Sequence, residues 1–157
     1  MVEALYLDPI QVKQYSQSTY QLNWKIRRLK LHSIWIADDD EAIRLVLEES
    51  LSSAGFKPKS FASGEDLVKE LDNSQPDLII TDVQMPGMLG YDLLKHINNN
   101  FEDIPVIVMT AFADMQAAVE SFGGGAYEYI TKPFDLEDAI QIIERALEKK
   151  PKTKGLK

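Results

Sequence analysis

Two kinds of apolar pattern alternate five times between residues 34 and 149 of this 157-residue chain. Short apolar runs bounded by turn or charged residues are typical of β-strands, and apolar residues three or four positions apart are typical of amphipathic helices. Five strand–helix repeats in strict order predict an α/β fold, (βα)5, in which helices cover both faces of a doubly wound, five-stranded parallel sheet. The predicted strands are Ile34–Ala37, Pro58–Phe61, Leu78–Ile80, Pro105–Met109 and Tyr127–Ile130.

Each predicted helix has an apolar face. Asp114 and Asp135 stand where the N-caps of the last two helices are expected. Three consecutive glycines, Gly123–Gly125, end the fourth helix, and a helical glycine costs about 1 kcal/mol relative to alanine. We therefore expect a marginally stable fourth helix; the competing interpretation is a glycine loop without consequence. In chain order, the apolar faces of the five predicted helices are formed by Ile43, Val46, Leu47, Leu51 and Ala54; by Leu67, Val68 and Leu71; by Leu93, Leu94 and Ile97; by Met115, Ala118, Val119 and Phe122; and by Leu136, Ala139, Ile140, Ile143 and Leu147.

Composition excludes several classes of protein. The chain has no cysteine, so it forms neither a disulfide framework nor a cysteine-rich zinc site. It has no apolar run of membrane-spanning length and no secretory signal at its N-terminus. We therefore expect a soluble, cytoplasmic protein without a membrane partner.

The formal net charge of −8 is unevenly distributed. Residues 1–33 carry five basic and two acidic side chains, and residues 150–157 carry four lysines and no acid. Residues 34–149 are therefore strongly acidic, which argues against direct nucleic-acid binding by this region and suits a site that holds a cation. We expect one domain at 34–149, with a poorly ordered extension at 1–33 and a basic tail or linker at 150–157.

Polar residues follow four of the five predicted strands. Asp38 and Asp39 follow the first strand, Asp82 the third, Thr110 the fourth and Lys132 the fifth. Because the carboxyl ends of parallel strands meet at one edge of the sheet, these side chains are expected to cluster. Each residue alone has an ordinary explanation, such as a turn aspartate or a surface lysine. Their joint position at strand ends is harder to explain by packing.

The chemistry of this set favours phosphoryl transfer. Several carboxylates without a soft ligand suit a hard divalent cation, most simply Mg²⁺. A carboxylate that faces solvent beside a metal and a lysine can attack a phosphoryl group, and Asp82 is the predicted nucleophile because it ends the central strand. Lys132 would neutralise the phosphoryl oxygens, and the Thr110 hydroxyl would donate a hydrogen bond to one of them.

Four segments carry a resemblance to a known family. ADDD at 37–40, TDVQMPG at 81–87, VMTA at 108–111 and YITKPF at 129–134 resemble the receiver domain of two-component response regulators, which has a flavodoxin-like fold. The resemblance runs from about residue 34 to residue 149. Within the family, MTAFAD at 109–114 and GAYEYITKPF at 125–134 are most similar to NtrC-type receivers. Such receivers regulate a σ54-dependent AAA+ ATPase with a DNA-binding domain, and neither of these output domains is evident in this sequence.

The resemblance implies a role for each site residue. Asp82 would accept a phosphoryl group from a sensor histidine kinase. Asp39 and Asp82, together with Asp38 through water and the backbone carbonyl of Gln84, would hold Mg²⁺. Lys132 would pair with the phosphate, ahead of a cis peptide bond to Pro133.

The resemblance also implies a conformational switch. The Thr110 hydroxyl would move to the phosphate, and the Tyr129 ring would turn inward. From the three glycines, independently of the resemblance, we expect the marginally stable fourth helix to move on phosphorylation. A homodimer is compatible with this scheme. Asp40 lies outside the implied site and is expected in the first turn of the first helix, where an acid favours the helix dipole. Phe112 is expected to shield the phosphorylated aspartate from water.

Alternative functions stay open at this point. The chain could be a stand-alone receiver or a receiver that acts as an interaction module without phosphate. A haloacid-dehalogenase-like phosphatase uses similar residues, but it needs a second aspartate two positions after the nucleophile, where this chain has Gln84. The receiver interpretation implies no enzyme activity beyond weak self-phosphorylation and self-dephosphorylation. Met88 and Leu89 replace the usual acid before Gly90, so we expect the third helix to fray at its start.

Overall fold

The computed structural model describes residues 32–148, and the predictions for residues 1–31 and 149–157 lie outside this range. The described chain alternates strands and helices as the sequence predicts, with short 3-10 turns at Phe112–Asp114 and Gly123–Gly125. In chain order the elements are β1 Ser33–Ala37, α1 Glu41–Ser53, β2 Lys57–Phe61, α2 Gly64–Glu70, β3 Leu78–Asp82, α3 Gly90–Asn100, β4 Val106–Ala111, α4 Met115–Phe122, β5 Glu128–Lys132 and α5 Leu136–Glu148.

The five strands form one parallel sheet in the order β2-β1-β3-β4-β5. The predicted doubly wound fold is therefore confirmed. The chain runs from β1 to β2 at one edge and then crosses back to β3, so the strand order reverses between β1 and β3. A crevice forms outside the carboxyl ends of the strands at such a reversal, and ligands of doubly wound folds bind there.

Both faces of the sheet are buried because each strand alternates its side chains between two helical layers. On one face, Ile34, Ile36 and Ile80 pack with α1 and α5, through residues such as Leu47 and Ile143. On the other face, strand side chains pack with α2, α3 and α4; they include Trp35, Ile79, Val106 and Val108. No helix within residues 32–148 is long and apolar enough to span a membrane.

Local predictions for the helices are partly wrong and partly confirmed. Val46 and Val119, predicted on apolar helix faces, are 46% and 44% exposed because these helices bury narrower stripes than the sequence pattern suggests. Asp135 accepts hydrogen bonds from the N–H groups of Glu137 and Asp138 and caps α5 as predicted. Asp114 occupies the N-cap position of α4 but makes no capping hydrogen bond, because it already belongs to a 3-10 turn.

The fourth helix is short and ends at a glycine with a special conformation. Helix α4 has 8 residues, and Gly123, which follows it, has φ +58° and ψ −139°. A residue with a Cβ is strained in this region, so the first glycine of the run is needed to end the helix. A Cβ built on Gly124 would meet nothing within 4 Å, so the run is not uniformly constrained.

Candidate functional site

Three acidic side chains meet at the carboxyl ends of the central strand β3 and its neighbour β1. Asp38 and Asp39 follow β1, and Asp82 is the last residue of β3. The strands are neighbours in the sheet, with Ala37 opposite Thr81, so their ends lie side by side. One carboxylate oxygen from each acid can be chosen so that all three lie within 4.8 Å of one another. This spacing lets a single cation contact more than one of them.

Asp38 is the most firmly held member of the cluster. Its side chain is fully buried, with Oδ2 2.8 Å from Lys132 Nζ and Oδ1 accepting the N–H of Asp40 at 2.8 Å. Its backbone carbonyl accepts a hydrogen bond from the Arg44 guanidinium, also at 2.8 Å. A buried carboxylate is stable only when it is paired and hydrogen-bonded, and Asp38 meets both conditions.

Lys132, at the end of β5, contacts both Asp38 and Asp82. Its ammonium lies 2.8 Å from Asp38 Oδ2 and 3.2 Å from Asp82 Oδ2. Burial alone would lower the pKa of Lys132, but its hydrogen bond and charge interaction with Asp38, together with the nearby Asp82, raise the pKa overall. Lys132 therefore stays protonated at neutral pH. The Lys132–Pro133 peptide is cis, as the sequence resemblance implies.

The environment of Asp82 disfavours its charged form. Burial of the carboxylate raises its pKa above the ordinary value, and repulsion from Asp38 adds to this effect. The charge of Lys132 acts in the opposite direction without cancelling the shift. A divalent cation at this position would favour the ionised carboxylate, because it adds positive charge where Lys132 alone is insufficient.

Thr110 and Tyr129 lie on the same face of the sheet as α4. Thr110 is buried in β4, one residue after the register partner of Asp82, which is Met109. Tyr129 pairs with Val108 in β5, and its hydroxyl donates a 2.9 Å hydrogen bond to the Gly123 carbonyl. The half-buried phenol has a raised pKa, mainly through burial and secondarily through the charge of Glu128.

The Tyr129 ring contacts the end of α4. It meets Phe122 edge-on, with 6.2 Å between ring centroids and 74° between ring planes. Phe122 in turn meets Tyr91 of α3 edge-on at 5.6 Å. Tyr129 is therefore partly buried against the core and joined to the end of α4 by one hydrogen bond and one ring contact, which a side-chain rotation would break.

The loop between β3 and α3 is held by a residue that sequence reasoning did not identify. Glu65 of α2 accepts the N–H of Met88 at 2.9 Å, and a Cβ on Gly87, whose φ is +80°, would lie 2.3 Å from Glu65 Oε2. Glu65 stands 23 positions before Met88 in the chain, so no local motif indicates the contact. Gln84, a predicted cation ligand through its carbonyl, lies in the same loop.

The start of α3 does not depend on a capping side chain at Leu89, where the sequence lacks the usual acid. The Asp92 carboxylate instead accepts the N–H of Leu89 at 3.3 Å. A Cβ on Gly90 would lie 2.2 Å from the backbone oxygen of Asp82, so α3 packs directly against the end of β3. The structure shows how this helix begins without a standard cap; the predicted fraying stays a prediction.

Two further expectations change in the structure. Asp40 is the N-cap of α1, and its carboxylate accepts the N–H groups of Ala42 and Ile43, so it precedes the first turn in which it was predicted. Phe112 is 81% exposed and does not cover the acids in this conformation. The exposed first-turn acid of α1 is Glu41.

An open groove of about 880 Å³ leads away from the acidic cluster between α3 and α4. Asp39 and Gln84 line the end near the cluster, and Tyr91 and Phe122 line the apolar part. The groove leaves one side of the cluster open, so a reactant could approach Asp82 from outside the protein.

Comparison with known proteins identifies the family. Residues 34–144 match the model of the response regulator receiver domain. Because this match covers more than half of the chain, the chain belongs to the response regulator receiver domain family. Members of this family are signalling domains rather than classical enzymes.

The predicted similarity to NtrC-type receivers is also confirmed. The chain is 42% identical over 114 residues to the DNA-binding transcriptional regulator NtrC of Escherichia coli (strain K12), across 73% of this chain and 24% of NtrC. It therefore spans about a quarter of the length of this relative.

Solved structures support the same fold. The response regulator receiver domain protein from Clostridium thermocellum superposes with a TM-score of 0.71 at 29% identity, covering 76% of this chain and 97% of that one. Response regulator TrrA from Thermotoga maritima, solved in complex with Mg²⁺-BeF, has a TM-score of 0.67 at 27% identity over 74% of this chain and 99% of TrrA.

Proposed function

We propose that Asp82 accepts a phosphoryl group from a sensor histidine kinase in a reaction that requires Mg²⁺. The observation that carries the proposal is the setting of Asp82 at the end of β3. Its carboxylate is partly accessible and lies 3.2 Å from the Lys132 ammonium. One of its oxygens lies within 4.8 Å of an oxygen of Asp38 and of Asp39. A carboxylate beside a fixed cation and a metal site is a suitable nucleophile for a phosphoryl group.

The donor set fits Mg²⁺. The cluster offers only carboxylate oxygens, which are hard ligands, and three of them lie within 4.8 Å. Asp39 and Asp82 would contact the ion directly, together with the Gln84 carbonyl. Asp38 would act through water, because Lys132 and the Asp40 N–H already engage both of its oxygens. When bound, Mg²⁺ would neutralise the negative charge of the phosphoryl oxygens.

The chain's own groups would perform the transfer as follows. A carboxylate oxygen of Asp82 attacks the phosphorus of a phosphohistidine in line with the P–N bond. As the new P–O bond forms, the P–N bond breaks and its electron pair returns to the imidazole of the donor. Lys132 lies close enough to Asp82 to pair with the transferred phosphoryl group. This pairing stabilises the negative charge of the phosphoryl oxygens.

Phosphorylation would then act on the face that contains Thr110 and Tyr129. The buried Thr110 hydroxyl would turn towards the phosphoryl oxygens and leave space beside β4. Tyr129 would enter that space and break its hydrogen bond to Gly123. Because Tyr129 contacts the end of α4 through Phe122, this movement would release α4 from its present position.

The similarity to NtrC supports an output in σ54-dependent transcription. On this proposal residues 34–149 act as the receiver of a longer regulator, residues 150–157 as the linker to an output domain, and residues 1–33 as an extension. A stand-alone receiver would use the same chemistry. The phosphatase alternative is not favoured. It would need Asp38 as the nucleophile and Asp40, two positions later, as the acid, but the Asp40 carboxylate is engaged by two backbone N–H groups of α1.

The direct test is the intact mass of the protein after incubation with Mg²⁺ and acetyl phosphate, which replaces the kinase as a small phosphoryl donor. The parent should gain one phosphoryl group, and Asp82→Asn should gain none. Asp103→Asn is the matched control, because Asp103 is an exposed aspartate in the turn before β4 and lies outside the acidic cluster. It should be phosphorylated like the parent.

Other results would contradict the proposal in distinct ways. Equal uptake by the parent and Asp82→Asn would place the acceptor elsewhere. No uptake by a folded parent that binds Mg²⁺ would favour an interaction module that works without phosphate. Turnover of more than one equivalent of a phosphate ester would favour the phosphatase.

A further inference from the structure

Asp39 is an exposed acid whose backbone is held on both sides. The peptide unit before it is held at its carbonyl, where the Asp38 oxygen accepts a 2.8 Å hydrogen bond from Arg44 Nη1. The peptide unit after it is held at its N–H, which Asp40 donates to Asp38 Oδ1 at 2.8 Å. Because peptide units are planar, fixing one atom group on each side restricts the two dihedral angles of Asp39.

The consequence is a fixed Cβ direction for Asp39. This direction follows from the positions of the two flanking peptide units, so before any ligand arrives the carboxylate has only its own two side-chain rotations left to adjust. A flexible loop would have to order on cation binding and would lose affinity through that cost. In this restrained loop an oxygen of the exposed Asp39 carboxylate lies within 4.8 Å of an oxygen of each of the other two acids.

Arg44 differs from the other group that holds Asp39. The second restraint comes from Asp38, which is itself a member of the acidic cluster and a partner of Lys132. Arg44 belongs to α1, whose backbone places it one turn after the cap, with the Arg44 N–H bonded to the Asp40 carbonyl at 3.1 Å. Its guanidinium can therefore be changed without removing a carboxylate or the lysine of the site.

We propose that Arg44 is a positioning residue for cation binding: by holding the Asp38 carbonyl, it aims the Asp39 carboxylate at the metal position. This inference rests on the proposed Mg²⁺ site and adds a residue to it. The ordinary alternative is a half-exposed arginine that stabilises α1 and has no effect on the site.

The test compares Arg44→Met and Arg44→Lys with Arg145→Met in the full chain. Arg145 is the matched control because it is the other arginine within residues 32–148 and is exposed on α5. The Mg²⁺ dissociation constant of each protein is measured by titration, and urea unfolding in the presence of EDTA measures stability. We expect Arg44→Met to weaken Mg²⁺ binding about tenfold, as is typical when a group that orients a ligand is lost. Arg44→Lys should recover part of this affinity, and Arg145→Met should match the parent.

A second readout needs no metal. Amide exchange at Asp39 and Asp40 in the metal-free protein should be faster in Arg44→Met than in the parent, because one of the two restraints is gone. A structural role alone would lower the unfolding midpoint while leaving the Mg²⁺ dissociation constant and these two amides unchanged. That result would overturn the inference.

Acetyl phosphate separates this inference from the proposed function. If Arg44 positions Asp39, Arg44→Met should be phosphorylated slowly at low Mg²⁺ and at the parental rate when Mg²⁺ is saturating. If the parent binds Mg²⁺ with the predicted dependence on Arg44 but takes up no phosphoryl group, the function fails and the positioning role stands. A parent that binds no Mg²⁺ would overturn both.

Discussion

The two sides of the candidate site are held to very different degrees. The acid side is formed by residues 38–44 and Asp82. Lys132 and the Asp40 N–H hold its buried Asp38 carboxylate, the Arg44 side chain donates a hydrogen bond to the Asp38 carbonyl, and its helix is capped. The switch side, formed by residues 110–129, has a short helix without a capping side chain and an exposed Phe112. Three glycines follow this helix, and the Tyr129 hydroxyl donates one hydrogen bond to the carbonyl of the first of them, Gly123.

This difference has a physical reason. A site that binds a small cation and a phosphoryl group gains from ligands that are already in place, because ordering them later would cost affinity. A segment that reports the reaction must instead have two conformations of similar free energy, and such segments have few buried contacts. The acid side has the features of the first kind of region, and the switch side has those of the second.

Removal of the Lys132 charge should have the largest effect on the acid side. In Lys132→Met the fully buried Asp38 carboxylate loses its cation, and we expect a loss of about 3 kcal/mol in the free energy of unfolding without Mg²⁺. Urea unfolding in EDTA measures the change. Lys57→Met, at an exposed position of β2, is the control and should differ little from the parent.

A second variant tests the cause of that loss. If the unpaired Asp38 charge is responsible, adding Asp38→Asn to Lys132→Met should recover much of the stability. Equal costs for Lys132→Met and Lys57→Met would show that the acid side does not depend on this pair.

The glycine run offers a matched pair on the switch side. Gly123→Ala forces a Cβ into a backbone conformation with φ +58° and should destabilise the protein by about 1–2 kcal/mol. Gly124→Ala has open space around its Cβ and should be neutral or stabilising by a few tenths of a kcal/mol, because it restricts the unfolded chain. Thermal or urea unfolding distinguishes the two.

The same pair separates the two interpretations of the run. If the glycines keep α4 only marginally stable, Gly124→Ala should also slow amide exchange in Met115–Phe122. Unchanged exchange in that helix would favour a loop without consequence for α4.

Asp82→Asn should have a smaller, pH-dependent effect on stability. The folded-state pKa of Asp82 is raised, mainly by burial, so the native protein holds this proton to a higher pH than the unfolded chain does. Stability in EDTA therefore falls as the pH rises from the ordinary aspartate pKa through the raised one, and stays lower above it. Removing the charge should stabilise the protein at pH 7 and flatten this part of the pH profile. A less stable Asp82→Asn at pH 7 would show that pairing with Lys132 outweighs burial.

The sheet and the grouping of site residues follow from simple features of the sequence. Apolar runs of strand length alternate with helical patterns, and the parallel order brings Asp38, Asp82 and Lys132 to one edge without further information. Thr110 follows by the same reasoning, because it ends a predicted strand.

Other features depend on contacts between distant segments. Glu65 reaches Met88 from another helix, and its role in the β3–α3 loop has no local signal. The exposure of Val46 and Val119 depends on how far each helix is rotated against the sheet, which an apolar pattern determines only approximately. The contact of Arg44 with the Asp38 carbonyl could have been suspected from the spacing, since a residue one turn after an N-cap lies above the preceding loop.

The contrast between the two sides is tested most directly by hydrogen exchange of the full chain with and without Mg²⁺ and beryllofluoride, a mimic of the bound phosphoryl group. We predict altered exchange in residues 112–129, with α4 less protected than α5 before the mimic is added, while the strands β1 and β3 keep their exchange rates. Equal protection of α4 and α5 that does not change with the mimic would contradict the account, because the switch side would then be neither loosely held nor responsive to the acid side.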